Sequence, residues 1–341
     1  LNVKEVFMKK FIFLAFVIAF SMTAFSCVSM SSMPKEEIQI SYDKSVLQNV
    51  SRVTDDGLSK IELAVSPDGN QLLYVEIDKS VNSYITNMKN SNSGYYYDSQ
   101  MYLLRDISRP SKTPLGLTFS YWPAWNKNGK EFVFAALENN QFKLVRANVE
   151  GGRKTYITRT PIGSEDGEPD IKNNVILCHT KINGKWQIAT LNYDGTEITL
   201  ICEGYSPKWH PAENKFVFIR DGGIFEMDLD LNQATEIYKD ADFPCYKPSY
   251  SKDGKYILFE QLTPVNAKGT MKSSLSKRII SIANNRTNFH LYLISSDGMN
   301  KTQLTSGSVD AYSPVWGADN TIFFISAANN KTDIWKAKVQ Y

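Results

Sequence analysis

Ser66-Pro67-Asp68-Gly69, Trp125-Asn126-Lys127-Asn128-Gly129 and Tyr250-Ser251-Lys252-Asp253-Gly254 each stand between two short apolar runs, and their likeness to one another decides the fold. Proline presets φ for a turn, Asp or Asn suits the next places, and Gly accepts the left-handed conformation that closes a hairpin with a bulge. After each turn the apolar residues recur at period two: Leu72 and Tyr74, Phe132 and Phe134, Ile257 and Phe259. That period belongs to strands. Two degenerate copies start at Pro207 (with Phe216 and Phe218) and Pro314 (with Ile322 and Phe324), and a sixth with a shortened turn starts at Pro169, followed by Ile176.

A second half follows most copies. Leu144-Val145-Arg146-Ala147-Asn148, Ile188-Ala189-Thr190-Leu191-Asn192 and Leu291-Tyr292-Leu293-Ile294 lead into polar turns, then into short strands such as Thr155-Tyr156-Ile157-Thr158 and Thr302-Gln303-Leu304-Thr305. Four strands per repeat and six repeats predict an all-β, six-bladed β-propeller with antiparallel blades, in which closure of the ring leaves few exposed edges. The last repeat stops after Asp333-Ile334-Trp335-Lys336-Ala337, one strand short, and residues 47–54 read as a fourth strand with no repeat before it. The N-terminal strand is therefore expected to complete the last blade.

The Ser66-Pro67-Asp68-Gly69 and Ser251-Lys252-Asp253-Gly254 hairpins, with Asp297-Gly298 and Leu304-Thr305, resemble the WD40-like repeats of TolB propellers, which also occur in the propellers of dipeptidyl-peptidase relatives. The resemblance covers about residues 44–341. It implies the fold, and it leaves function open, because this repeat family serves receptors, scaffolds and enzyme side domains alike.

Upstream, Met8-Lys9-Lys10 precedes an apolar run from Phe11 to Phe25 and then Ser26-Cys27, the pattern of a secretion signal. Residues 1–26 read as a signal peptide starting at Met8, Cys27 as a lipidation site, and 27–43 as a tether to the cell envelope. No Leu stands three residues before Cys27, which leaves an uncleaved membrane anchor as the alternative. Removing residues 1–26 takes three of 38 basic and one of 36 acidic residues, so the mature chain is neutral. A neutral chain has no global field for a nucleic-acid backbone, and none is expected as a partner.

Cys178, Cys202 and Cys245 form no CxxC pair and read as small apolar strand residues, and His179, His210 and His290 lie far apart in sequence. No metal and no cofactor are expected. No GxSxG elbow is present, which removes the peptidase reading.

Both irregular insertions, about 78–99 and 263–288, fall in loops between second and third strands, on the face opposite the hairpins. Residues entering each blade on that face are aromatic or acidic: Tyr121, Trp122, Asp166, Glu168, Tyr205, Tyr246, Asp310 and Tyr312. Rings beside carboxylates suit capture of an amphipathic ligand. They equally suit packing between blades, and Asp166 equally suits anchoring its loop. The sequence reads as a monomeric, noncatalytic lipoprotein whose funnel binds a protein partner, a peptide or a carbohydrate. The alternative is a carbohydrate-active lyase or hydrolase using the funnel carboxylates.

Overall fold

The computed structural model describes residues 40–78, 98–151, 154–264, 287–328 and 331–341, and every regular element among them is a strand. Six antiparallel four-stranded sheets follow one another along the chain. Their innermost strands are Lys60–Val65, Ser120–Trp125, Asp166–Lys172, Tyr205–Trp209, Cys245–Tyr250 and Asp310–Trp316, and they define blades one to six. Each inner strand touches the next, and the sixth returns to the first, so the ring is closed. The six-bladed expectation is met.

The residues that carried the repeat are the ones that hold the blades together. Leu72, Tyr74, Phe132, Phe134, Ile176, Phe216, Phe218, Ile257, Phe259, Ile322 and Phe324 have no exposed surface. Their chain neighbours Leu73, Val75, Val133, Ala135, Val217 and Leu258 are equally covered. Second strands are thus buried on both faces, because each blade is sandwiched between two others. Full burial of one such side chain contributes about 1.5–3 kcal/mol.

The N-terminal strand Leu47–Arg52 pairs with the final strand Lys331–Val339, Leu47 opposite Val339 and Arg52 opposite Trp335. A second lacing lies just before it, where Ser41–Tyr42 pairs with Thr305–Ser306. Residues 41–52 are therefore fastened to blade six and to the end of blade five.

The Leu-Thr signature also has a local cause. The fourth strands of blades two and five are only two residues long, Thr155–Tyr156 and Thr302–Gln303. Beyond them the third strand's N–H groups need another acceptor. Leu144 N–H donates to Thr158 Oγ1 (2.9 Å) and Leu291 N–H to Thr305 Oγ1 (2.9 Å). In blade six Ile334 N–H donates likewise to Thr54 Oγ1 (3.0 Å).

The hairpin glycines do more than turn the chain. Gly129 has φ 65° and open space around it, whereas a Cβ on Gly254 (φ 73°) would fall 2.2 Å from His210 Nε2 of blade four. Gly254 thus sets the approach of blades four and five. Gly129→Ala is expected to cost about 1 kcal/mol for the left-handed backbone alone. Gly254→Ala should cost at least about 1 kcal/mol more, because His210 must also move. Denaturant melts of the two variants measure the difference, and equal costs would show that blade spacing does not depend on this glycine.

Cys178 and Cys245 are buried and Cys202 is half-buried, all free thiols. Burial pushes Cys245 up to about 12 and Cys202 to about 11, so they pack as small protonated groups. Cys27 and most of both insertions, residues 79–97 and 265–286, lie outside the described residues.

Candidate functional site: the central channel

Every inner strand carries a register shift at the same place: Lys60/Leu63, Tyr121/Ala124, Gly167/Asp170, Tyr205/Lys208, Tyr246/Ser249 and Tyr312/Val315. In five blades the residue within the bulge precedes a proline and is left-handed: Trp122 (φ 51°), Glu168 (46°), Ser206 (52°), Lys247 (48°) and Ser313 (49°). Blade one has Leu63 in place of the proline and Glu62 at the equivalent position. A left-handed non-glycine residue costs on the order of 1–3 kcal/mol and persists only where its surroundings enforce it. In these five blades it places one side chain on the wall of the central channel.

Glu62, Trp122, Glu168, Ser206, Lys247 and Ser313 form one tier of a cavity of about 330 Å³. Two residues further along each strand stand Ala64, Ala124, Asp170, Lys208, Ser249 and Val315, and the lining continues to Trp125, Trp209, Tyr250 and Trp316 at the hairpin end. Two of these indoles brace neighbouring blades: Trp125 Nε1 donates to Ala64 O (2.9 Å) and Trp316 Nε1 to Ser249 O (3.2 Å).

The tier is electrostatically assembled. Lys247 Nζ reaches over blade six to donate to Glu62 of blade one and to Ser313 Oγ (3.2 Å). Burial would lower the Lys247 pKa, but Glu62, Glu260 and Glu168 hold it above its ordinary value. Burial would raise Glu168; the His179 imidazole 3.5 Å away, the Lys247 charge and the Ser206 hydroxyl outweigh it and hold the carboxyl at about 2. Behind the wall, fully buried, Glu260 accepts from Ser313 N–H (2.6 Å) through Oε2, and its Oε1 has no hydrogen-bond partner among the described residues. Burial pushes Glu260 up to about 7. In the second tier Lys208 Nζ lies 3.8 Å from Asp170 and donates to Pro169 O (3.2 Å).

Of the eight residues singled out in the sequence, Trp122 and Glu168 line this cavity. Tyr121 is nearly covered and meets Phe142 edge-on at 5.6 Å. Tyr312 is fully buried and donates to Lys60 O (2.7 Å). Tyr246 packs edge-on to Phe289 at 5.6 Å, and Tyr205 packs against the apolar cluster between blades four and five. Asp166 accepts from Ile162 N–H (2.8 Å), Gly163 N–H (3.2 Å) and the Thr180 hydroxyl (2.7 Å), anchoring its loop. Asp310 accepts from Phe289 N–H (2.8 Å).

Glu62, Ser206, Lys247 and Ser313 join Trp122 and Glu168 in the tier, and Asp170 and Lys208 line the cavity beside them. The signal that finds them is position: the bulge turns the residue immediately before the proline into the channel, and the tyrosine one place earlier in blades two, four, five and six packs into the apolar clusters. Among the described residues no group of three or more His, Cys, Asp or Glu is arranged to hold a metal ion.

Known proteins place this architecture. No family model matches the chain. An uncharacterised protein of Agrobacterium fabrum is 26% identical over 167 residues, which is 43% of this chain and 56% of that one. The chain thus spans about half the length of the curated relative it matches. Among solved structures, a putative TolB from Agrobacterium tumefaciens superposes with a TM-score of 0.56 at 11% identity, covering 89% of this chain and 99% of that one. A gluconolactonase from Xanthomonas campestris gives 0.58 at 9% (88% and 94% covered), and an oligogalacturonate lyase from Vibrio parahaemolyticus 0.50 at 12% (89% and 98%). At these identities the architecture alone is shared. The chain is a six-bladed β-propeller with TolB-like propellers among its structural neighbours, closed by its own N-terminal strand.

Proposed function

We propose that this chain is a noncatalytic binding module of the cell envelope, tethered there through Cys27, whose central channel receives a segment of a protein partner. The observation that carries this reading is the set of mutually paired charges on the channel wall. Glu168 is held ionised by its neighbours, Glu62 is matched by Lys247 and Asp170 by Lys208, so the channel offers fixed polar contacts and an indole to a guest. Such a wall suits recognition, in which precisely placed polar groups fix the orientation of a guest.

It suits proton transfer poorly. A general acid needs a pKa near the working pH and access to its substrate. Among the described residues Glu260 is raised furthest into the working range, to about 7, and it is fully buried behind the wall. A gluconolactonase and an oligogalacturonate lyase among the structural neighbours put carbohydrate chemistry on this architecture. Asp166 and Asp310, two of the three carboxylates that could serve such chemistry, instead accept backbone N–H groups.

The full-length tethered protein, cross-linked in native membranes and purified, is expected to retain a specific partner. Lys208→Glu, which sets two like charges side by side with Asp170, and Trp122→Ala should each lower recovery at least about tenfold, while both variants keep a cooperative melting transition. Equal recovery with both variants would overturn the channel as the binding site.

A further inference from the structure

A second concave site lies on the outer rim of blade two, away from the channel. Glu138 ends the second strand of that blade, Lys143 stands on the third, and Lys154, Thr155, Tyr156 and Arg159 come from the fourth and its continuation. Together they line a groove of about 530 Å³. Three of the six residues are cations and one is acidic.

The single carboxylate is already engaged: Glu138 accepts the hydrogen bond of the Tyr156 hydroxyl. Among the described residues, no carboxylate stands within ion-pair distance of Lys143, Lys154 or Arg159. On a chain of nearly balanced charge, three cations against one carboxylate around one groove are a local excess of positive charge rather than part of a general field. The Tyr156 ring is 36% exposed, and the Lys143 ammonium stands 5.9 Å from its centroid, so the ring presents a face beside a cation. The Glu138 bond fixes the direction of that ring.

We infer that this groove binds an acidic saccharide, a short sugar chain carrying carboxylate or phosphate. The ring supplies a stacking platform for the apolar face of a pyranose. Lys143, Lys154 and Arg159 supply the counter-charge, with Arg159 able to hold a carboxylate or phosphate by two parallel bonds. Thr155 and Glu138 remain beside the ring for sugar hydroxyls. The volume falls within the range of about 300–1,000 Å³ that small-molecule pockets occupy. A planar anionic surface fits less well, because the cations converge on a concavity around a ring.

Titration calorimetry of the purified protein at low salt tests the assignment, with digalacturonate for a sugar carboxylate, glucose 1-phosphate for a sugar phosphate, and cellobiose and inorganic phosphate as controls. At least one of the two acidic sugars should bind at least about tenfold more tightly than both controls, and the bound form identifies which anion is preferred. Its affinity should fall about tenfold in the combined Lys143→Gln, Lys154→Gln, Arg159→Gln variant, about fivefold in Tyr156→Ala, and not at all in the channel variant Lys208→Glu. Cellobiose binding as tightly would overturn the role of the cations, and inorganic phosphate binding as tightly would overturn the role of the ring. Absence of binding by both acidic sugars at 10 mM (~10⁻² M, weaker than pocket affinities in general), or full affinity in the triple variant, would overturn the site.

Discussion

Leu47→Asp is expected to open the ring. Leu47 is 1% exposed and packs with Ala311, Ile322, Phe324, Ala337 and Val339 in the core of blade six. The substitution forfeits the burial of one leucine and sets an unpaired charge in that core, together more than about 4 kcal/mol. For a domain of this size each kcal/mol shifts the melting temperature by roughly 2–4 °C, so a fall of about 10 °C or more should appear by calorimetry. Detachment of Leu47–Arg52 would also bare the edge of Lys331–Val339, an invitation to intermolecular pairing, so light scattering should rise on heating. Asn49→Asp, at an exposed site of the same strand, is the control and should change little. A variant Leu47→Asp that melts like the parent would show that the N-terminal strand is not what closes the ring.

The second large effect belongs to Lys247. Its ammonium is the cation facing Glu62, Glu168 and Glu260, and Lys247→Met leaves these carboxyls buried without it. Breaking a buried pair in this way costs about 3–5 kcal/mol. Glu260→Gln, by contrast, keeps the shape and the acceptor for Ser313 N–H while removing the titration, and should be tolerated.

Two carboxyls around Lys247, Glu260 and Glu168, give a pH dependence of definite sign. Burial raises Glu260 from its ordinary 4.5 to about 7, so the folded protein prefers the neutral carboxyl. The stability this confers is complete below pH 4.5 and is lost as pH rises through 7, at up to about 1.4 kcal/mol per unit. Glu168 has the opposite sign: held at about 2, it contributes above 4.5 and loses its contribution as pH falls towards 2. Between pH 5 and 8 only Glu260 of the two titrates. The stability of the parent relative to Glu260→Gln should therefore decline across that interval, and parallel pH profiles would refute the assignment of a raised pKa to Glu260.

How far the sequence reaches can be judged from particular positions. Tyr74, Phe134, Phe218, Phe259 and Phe324 announced themselves by period two after a hairpin turn, and all are fully covered between blades. Turn chemistry and alternation are local properties, so they are legible one residue at a time. The N-terminal strand was legible by counting, since blade six lacked one strand and residues 47–54 had no repeat of their own.

The site was legible only in its neighbourhood. Tyr121 and Trp122 are adjacent in sequence and both rings meet Phe142, at 5.6 and 5.2 Å, yet Trp122 lines the channel and Tyr121 does not, because the bulge between Tyr121 and Ala124 turns Trp122 inward. A shift of one residue moves a side chain to the other face. The same shift hid Ser206 and Ser313 behind Tyr205 and Tyr312, and Lys247 behind Tyr246.

Six repeats, four strands in each, the hairpin turns and the strand that closes the ring could be read in advance, because alternation, turn residues and repeat spacing are written along the chain. Tertiary structure decided which residues meet. Lys247 reaches Glu62 across 185 positions, and three cations gather around Tyr156 on one rim. Ring closure and backbone bulges set these encounters, and neither is a property of any residue's immediate neighbours.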